Sequence, residues 1–460
     1  MSPAVTSPCT TRLRCGFYLA KKKRRCGMTR SANLPYCSEH LSALATDDPL
    51  QTAEPAARGR RVPCPVDPRH SVWEKELTRH ARKCGAAHEK RSRDAQGAWY
   101  RCDYNCGPPA AVVGASVGDA TILAAIPIVQ EIYKSFFEQR PLPTEIKSNE
   151  PVELRRFPQL LGSRKHARQQ SSLIQHVQDH GMFPANPNDS VTYMEFGCGR
   201  AELSRYLNQS VVLHLLNASQ AATRPAVMPS YVFIDRASNR MKFDKKIRDD
   251  VDELCDADSA ATATASRPDS NTYPCITRKK IDIKDLYLDA LVSPNKNNKY
   301  VVISKHLCGV ATDLTIRCVL NSSVLHTKDR HLQGMVIAMC CRHVCDPARY
   351  ANPSYIESLI RDHDVNYQDF FLALKKIATW AVCGRRPGMT DSDVNNHFTG
   401  LPVVDREKLG QMARRIIDEG RAQLLRDEGY NVSLVEYIES EVSLENVAMV
   451  VTKRNSASHG

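Results

Sequence analysis

The chain has 460 residues, 63 Lys plus Arg against 51 Asp plus Glu, and 17 Cys. Its length calls for several folding units, one of them with a large core, and 42 % hydrophobic against 25 % charged residues exclude a chain disordered throughout. The most apolar stretch, residues 110–129, is broken by Gly114, Gly118, Asp119 and Pro127, so no apolar run approaches the roughly 20 residues that span a bilayer. No apolar core follows a basic start at the N-terminus, so the thiols are expected to be reduced and the protein intracellular, nuclear and/or cytoplasmic. Residues 1–38 lack Asp and Glu and loosely fit a mitochondrial transit peptide, but their ligand-like cysteine spacing argues against cleavage. The formal charge of +12 is unevenly placed. Residues 1–93 hold 19 basic and 8 acidic side chains, and the other 367 residues hold 44 and 43. A polyanionic partner is therefore expected to meet the N-terminal end.

In chain order, the first unit, 12–45, carries Cys15-x10-Cys26-x10-Cys37-x2-His40. Thiolate and imidazole are the ligands Zn2+ prefers, and four of them close a tetrahedral structural site in a segment with little else to fold around. Lys21, Lys22, Lys23, Arg24 and Arg25 lie between the first two ligands, as a solvated run, a localisation signal or a phosphate-binding loop. After the Ala/Pro/Arg stretch 52–62, the unit 58–88 holds Cys64-x5-His70-x9-His80-x3-Cys84. A helix from Val72 to Lys83 would bring His80 and Cys84 to one face, with Trp73 and Leu77 as a small core. Both units resemble known fingers, the first a CCCH and the second a CHHC finger. They precede the catalytic domain in a eukaryotic family of tRNA methyltransferases, and a CHHC finger also occurs in a minor-spliceosome protein. Residues 89–140 read as a linker or helical segment, in which Cys102 and Cys106 are too few to close a metal site.

From 141 to 453 strand-length apolar runs alternate with amphipathic stretches, the pattern of an α/β domain. Val191–Phe196 reads as a buried strand running into Gly197-Cys198-Gly199-Arg200-Ala201 and then a helix, the device that brings a nucleotide-like ligand close to backbone N–H groups. Tyr231–Ile234 ends in Asp235, placed to meet ribose hydroxyls, and the 35 residues after Gly199 imply an enlarged loop. Further strands are expected at Lys280–Lys284, Tyr300–Ser304 and Gln333–Met339, then an antiparallel pair, Asn431–Ile438 and Asn446–Val451. An antiparallel ending favours the S-adenosylmethionine-dependent methyltransferase fold over a dinucleotide dehydrogenase. The fold class is thus α/β: a doubly wound Rossmann-like methyltransferase sheet with an antiparallel last strand, preceded by two small zinc fingers. Glu195, Gly197 and Gly199 would form the methionine-side turn and Asp235 the ribose contact. Asp282 would lie near the adenine, or be a solvated strand-end acid. The run 253–274 reads as a disordered surface insertion, and 386–408 as a second interruption.

Two polar clusters follow strand ends, Lys305-His306-Leu307-Cys308-Gly309 with Asp313, and Cys340-Cys341-Arg342-His343-Val344-Cys345. Substrates in open α/β sheets meet the cofactor there. Cys341, His343 and Cys345 admit a third metal site, although loop thiols in a reduced protein need none. The blocks from Glu195 (EFGCGRAELS), Ile234 (IDR), Ser304 (SKHLCG) and Cys340 (CCRH) resemble, in order, the eukaryotic tRNA acceptor-stem 2'-O-methyltransferases, over most of residues 12–453. The resemblance implies methyl transfer from S-adenosylmethionine to the ribose 2'-OH of nucleotide 4 of certain tRNAs, with two structural Zn2+; the apolar runs exclude a membrane span, and no feature of the sequence points to an obligate protein partner. A ribose hydroxyl needs a base or a cation at its oxygen. Lys305 and His306 are the first candidates, with His343 and Asp313 behind them. The alternatives are a non-catalytic zinc-finger RNA-binding or splicing-associated protein, and a methyltransferase with a non-RNA substrate.

Overall fold

In a computed structural model of the chain, the residues described are 13–19, 24–37, 40, 61–68, 70–84, 97–107, 117–218, 224–239, 242–256, 273–295, 297–326, 331–383 and 396–454. Lys21, Lys22 and Lys23, most of the 253–274 insertion, and residues 384–395 lie outside them. The chain divides into two compact units, Met1–Gln96 and Gly97–Gly460. Among the described residues no helix is long and apolar enough to cross a membrane.

In the first unit, β1 (Tyr18–Leu19) pairs antiparallel with β2 (Arg24–Arg25). The second finger pairs β3 (Arg61–Pro63) with β4 (Ser71–Trp73) and then enters a one-turn 3-10 segment and α1 (Leu77–Lys83). The expected helix from Val72 is therefore a strand for its first residues. Val72 faces Val62 and Trp73 faces Arg61 across the ribbon. A β-branched and an aromatic residue side by side favour that pairing over a helix start.

The second unit is built on seven strands: β5 (Ser190–Phe196), β6 (Ser230–Asp235), β7 (Cys275–Lys280), β8 (Asn298–Cys308), β9 (Leu332–Cys340), β10 (Tyr430–Glu436) and β11 (Val447–Lys453). Their order across the sheet is β10-β11-β9-β8-β5-β6-β7. β11 runs antiparallel to both its neighbours, and the other ladders are parallel. Both faces of the central strands are covered, which is why β5, β6, β9 and β11 are largely apolar. Met194, Phe196, Val302 and Ile337 pack on one side with Leu314 and Ile316 of α6 (Val310–Leu320). Tyr193, Ile303 and Val336 pack on the other with Leu173 of α4 (Lys165–Asp179) and Leu207 of α5 (Glu202–Ala218).

β7 departs from expectation: the strand ends at Lys280, and Ile281–Asp285 turns inward instead of extending Lys280–Lys284. Residues 97–107 and α2 (Asp119–Phe136) belong to this unit. The Asn105 amide donates to the carbonyls of Ile283 at 2.7 Å and Leu286 at 2.8 Å. Ile122, Ala125, Val129 and Ile132 of α2, spaced three and four apart, share a core with α7 (Tyr367–Ala378) and α8 (Val403–Asp427). At the β10 edge, the Glu436 N–H donates to the Pro143 carbonyl and the Glu145 N–H to the Glu436 carbonyl, so residues 143–145 cover the Glu436 end of that edge.

Candidate functional site

The glycine turn leaves β5 with Gly197 at φ 65° and Gly199 at φ 51°. Side chains resist that conformation, which accounts for glycine at both places. A Cβ on Gly199 would meet nothing within 4 Å, so space lies open above the loop. Ala201 takes φ 64° and is fully buried, packing the helix that follows against the strand. Asp235, at the end of β6, accepts from the Gly199 N–H at 2.8 Å and the Ala237 N–H at 2.7 Å. Two backbone bonds leave carboxylate lone pairs for ribose hydroxyls. Glu195 is buried and accepts from the Ser204 hydroxyl at 2.5 Å; burial raises its carboxyl to about 7 despite that bond. Asp282 accepts the Lys284 N–H at 3.1 Å and caps the turn after β7. These residues fit a nucleoside bearing a methionine tail: open space over N–H-rich backbone, with an acid at the next strand end.

Arg278 of β7 escaped the sequence reading. Its guanidinium grips Asp244 through two bonds of 3.0 and 2.6 Å and donates to the Gly199 carbonyl and the Cys198 sulfur, each at 3.0 Å. It pins the turn from outside. A positive charge within a half-buried strand was its only signal.

The end of β8 carries the reactive groups. The pairing with β9 slips between Lys305 and Leu307, and His306 sits at φ 66°. That irregularity re-aims Lys305 and His306. Lys305 Nζ stands 3.0 Å from His306 Nε2 and 3.0 Å from Nδ1 of His166, in the first turn of α4. Desolvation brings Lys305 down to about 8, with Glu202 opposing and Arg156 assisting. His306 falls to about 4 through desolvation and then the Lys305 and His166 charges. His166 is lowered, first by Lys305. The cluster thus holds one amine near its titration point between two imidazoles that resist protonation. Arg156, the last residue of α3 (Glu150–Arg156), closes the wall, 3.2 Å from Glu202 and stacked 4.2 Å from the Tyr206 ring. The glycine turn abuts this segment: a Cβ on Gly197 would come within 3.3 Å of Leu307, and the Ser304 hydroxyl donates to the Phe196 carbonyl at 2.6 Å.

Asp313 does not join this group. It is fully buried, takes two bonds from Arg421 at 2.9 and 2.7 Å and accepts the Ala351 N–H at 3.2 Å. Both oxygens are engaged in an ionic network with Asp418 and Arg342, which removes Asp313 from the candidate bases. His343 stands on the turn Arg342–Val344, its Nδ1 buried and without a hydrogen-bond partner among the described residues. Cys341, His343 and Cys345 do not converge as a metal set: Cys345 turns to Arg421, 3.1 Å away, whereas Cys341 groups with Cys308 and Cys340.

Each finger gathers its four side chains. In the first, Cys15 and Cys37 lie 3.4 and 3.3 Å from His40 Nδ1, and the His40 ring stacks on Phe17 at 3.9 Å. In the second, the Cys64 and Cys84 sulfurs are 3.7 Å apart, and His80 Nε2 is 3.3 Å from Cys64. A Zn2+ tetrahedron with ordinary bond lengths has edges of about 3.5 Å between S and N and about 3.8 Å between S and S, so both sets fit the ion. Burial opposes the Cys15 thiolate, but backbone N–H groups of Cys37 and Phe17 and the His40 side chain outweigh it, holding the thiol at about 6.

Residues 168–452 match the family described as "Methyltransferase TRM13", residues 13–41 its CCCH zinc finger, and residues 61–85 a U11-48K-like CHHC zinc finger. The chain belongs to the TRM13 methyltransferase family. A relative from Eremothecium gossypii, named tRNA:m(4)X modification enzyme TRM13, is 44 % identical over 96 % of this chain and 95 % of its own. The Saccharomyces cerevisiae protein of the same name is 41 % identical over 96 % of each, and that of Schizosaccharomyces pombe 31 % over 86 % of this chain and 96 % of its own. Family membership makes the chain a methyltransferase with zinc-binding fingers. The family match begins at residue 168, just past His166 and Arg156, which the fold nevertheless sets against the motif residue Lys305.

Proposed function

We propose that the chain transfers a methyl group from S-adenosylmethionine to the ribose 2'-OH of nucleotide 4 in the acceptor stem of specific tRNAs. The observation that carries this reading is the contact between the glycine turn and the Lys305–Cys308 segment, which sets a nucleoside site beside an amine poised near pH 8. The relatives' shared name supports tRNA as the substrate. S-adenosylmethionine, when bound, supplies the methyl electrophile. Gly197 and Gly199 admit it, Asp235 orients the ribose, and Glu195, bonded to Ser204, holds the turn. Lys305 in its neutral form accepts the 2'-OH proton at Nζ, while His166 and His306 hold the amine in place. A-form RNA presents its 2'-hydroxyls in the shallow minor groove, so a paired nucleotide can be reached without leaving its helix.

Cys15, Cys26, Cys37 and His40 form one Zn2+ site in this reading, and Cys64, His70, His80 and Cys84 the other. The basic fingers bind the tRNA backbone, and the protein works in the nucleus, the cytoplasm or both. The deciding experiment incubates the full chain with labelled S-adenosylmethionine and unmodified tRNA transcripts, then maps alkali-resistant ribose. Label at nucleotide 4 is expected; label only on bases, or none, would overturn the reading.

A further inference from the structure

We propose that Cys308 and Cys340 form a thiol modification site that a hydroperoxide closes into a reversible disulfide. The two residues face each other directly in the parallel ladder of β8 and β9. Neighbouring parallel strands lie about 4.8 Å apart, within the roughly 4.4–6.8 Å between Cα atoms that a disulfide accepts. Their sulfurs are 3.0 Å apart, and the Gly309 N–H donates to the Cys340 carbonyl at 3.0 Å, so the backbone at this point is already fastened. Closing to the bonded length of about 2.05 Å calls for a movement of about 1 Å.

The same separation speaks against a metal. Three sulfurs, those of Cys308, Cys340 and Cys341, lie within 4.8 Å of one another. A thiolate tetrahedron, however, needs edges of about 3.8 Å, as the Cys64–Cys84 separation of 3.7 Å provides. At 3.0 Å the Cys308–Cys340 pair is too close to share an ion. Access and reactivity divide between the two. Cys308 is exposed and Cys340 is buried. Hydrogen bonding from Cys340, and then from Cys341, outweighs burial and lowers the Cys308 thiol to about 6, whereas Cys340 is raised because it supplies that bond. An exposed thiolate beside a buried thiol is the arrangement of an attacking and a resolving cysteine.

The chemistry balances without a protein cofactor. The Cys308 thiolate attacks one peroxide oxygen, the O–O bond breaks, and with one proton taken up the products are Cys308 sulfenic acid and water. The Cys340 sulfur then attacks the Cys308 sulfur and displaces the hydroxyl as a second water. Two thiols lose two electrons, and hydrogen peroxide gains them.

The test uses the full chain and reads thiols, so its outcome is independent of which RNA is methylated. Reduced protein is exposed to hydrogen peroxide, quenched and mapped by differential alkylation and mass spectrometry. The expected result is a Cys308–Cys340 crosslinked peptide that dithiothreitol reverses, at peroxide levels that leave the exposed Cys102 and Cys275 free to alkylate. In Cys340→Ser/Cys341→Ser no resolving thiol remains, and dimedone should trap a sulfenic acid at Cys308. Iodoacetamide should label Cys308 about two- to threefold faster at pH 7 than an ordinary thiol, since a larger thiolate fraction outweighs its lower nucleophilicity. Oxidation of Cys308 no faster than that of Cys102 and Cys275 would overturn the proposal. So would a third zinc in the purified chain that Cys308→Ser removes.

Discussion

Replacing Lys305 by arginine keeps a cation at the end of β8 but removes the amine there that can take a proton near neutrality, because a guanidinium does not deprotonate in proteins. Lys305 lies at about 8, so about one-tenth of it is neutral at pH 7 and about nine-tenths at pH 9. If the neutral amine accepts the 2'-OH proton, the single-turnover rate on bound tRNA should rise about tenfold over that interval and level off above it. A lysine acting only as a cation would give a rate that falls instead. Loss of general-base catalysis costs about 10²- to 10⁴-fold, or about 3–5 kcal/mol of transition-state stabilisation, so Lys305→Arg should lose that much where the amine is neutral, about tenfold less at pH 7, and should lack the rise with pH. The assay is rapid-quench methyl transfer with the enzyme in excess over tRNA, alongside S-adenosylmethionine affinity as a check that the glycine turn is intact. A flat profile between about pH 7 and pH 9 in the parent, or Lys305→Arg within about threefold of it, would refute proton transfer to Lys305.

The other expectations concern parts of the molecule away from that amine. Asp313→Asn should lower folding stability by about 3–5 kcal/mol in denaturant unfolding, because it removes one of the two buried carboxylates that balance Arg421 and leaves Asp418 alone with it; normal stability with lost methyl transfer would instead return Asp313 to the reaction. Glu195 is raised to about 7, above its ordinary value of 4.5, so the folded state holds a proton that the unfolded chain releases, and stability declines as pH rises from about 4.5 to about 7. Glu195→Gln, which can still accept from Ser204, should therefore unfold at a higher temperature than the parent at pH 8, by about 3 kcal/mol at most, and match it at low pH. Metal analysis should find two zincs per chain, and His80→Ala or Cys64→Ser should leave one. Affinity for tRNA should fall steeply with salt in the full chain and less steeply in residues 97–460 alone; equal slopes would take the fingers out of binding.

The elements that sequence reasoning placed well share one property: their side chains obey a single requirement. Val191–Phe196 and Gln333–Met339 are covered on both faces, so apart from Thr192, Glu195 and Gln333 they hold only apolar and aromatic residues, and the antiparallel finish follows from two strand-length runs joined by a short acidic loop. β7 was misplaced because it meets mixed demands. Arg278 must reach Asp244 and the glycine turn, so the true strand reads polar, while Ile281 and Ile283, which look like strand, fill the core from the turn after it. Val72 and Trp73 fit either a strand or a helix, and only the partner strand at Arg61–Pro63 decides. Asp313 and Asp235 are both acids at strand-to-helix corners. What separates them is Arg421, more than a hundred residues further on, and no local spacing reveals it. His166 lay hidden for the same reason, being 139 positions from the lysine it touches. The metal ligands were the most legible part, since a finger with almost no apolar content has to state its fold in its ligands.

The short segment over the β10 edge governs where this sheet stops. A sheet with an open rim offers its unpaired N–H and C=O groups to any extended chain, including another copy of itself. Here Pro143 and Glu145 occupy that position on Glu436, and proline has no N–H with which to recruit a further strand. A chain trimmed to start after residue 146 would keep every motif from Glu195 onward. It would also lose α2 from its core and uncover the Glu436 end of β10, and it should therefore self-associate.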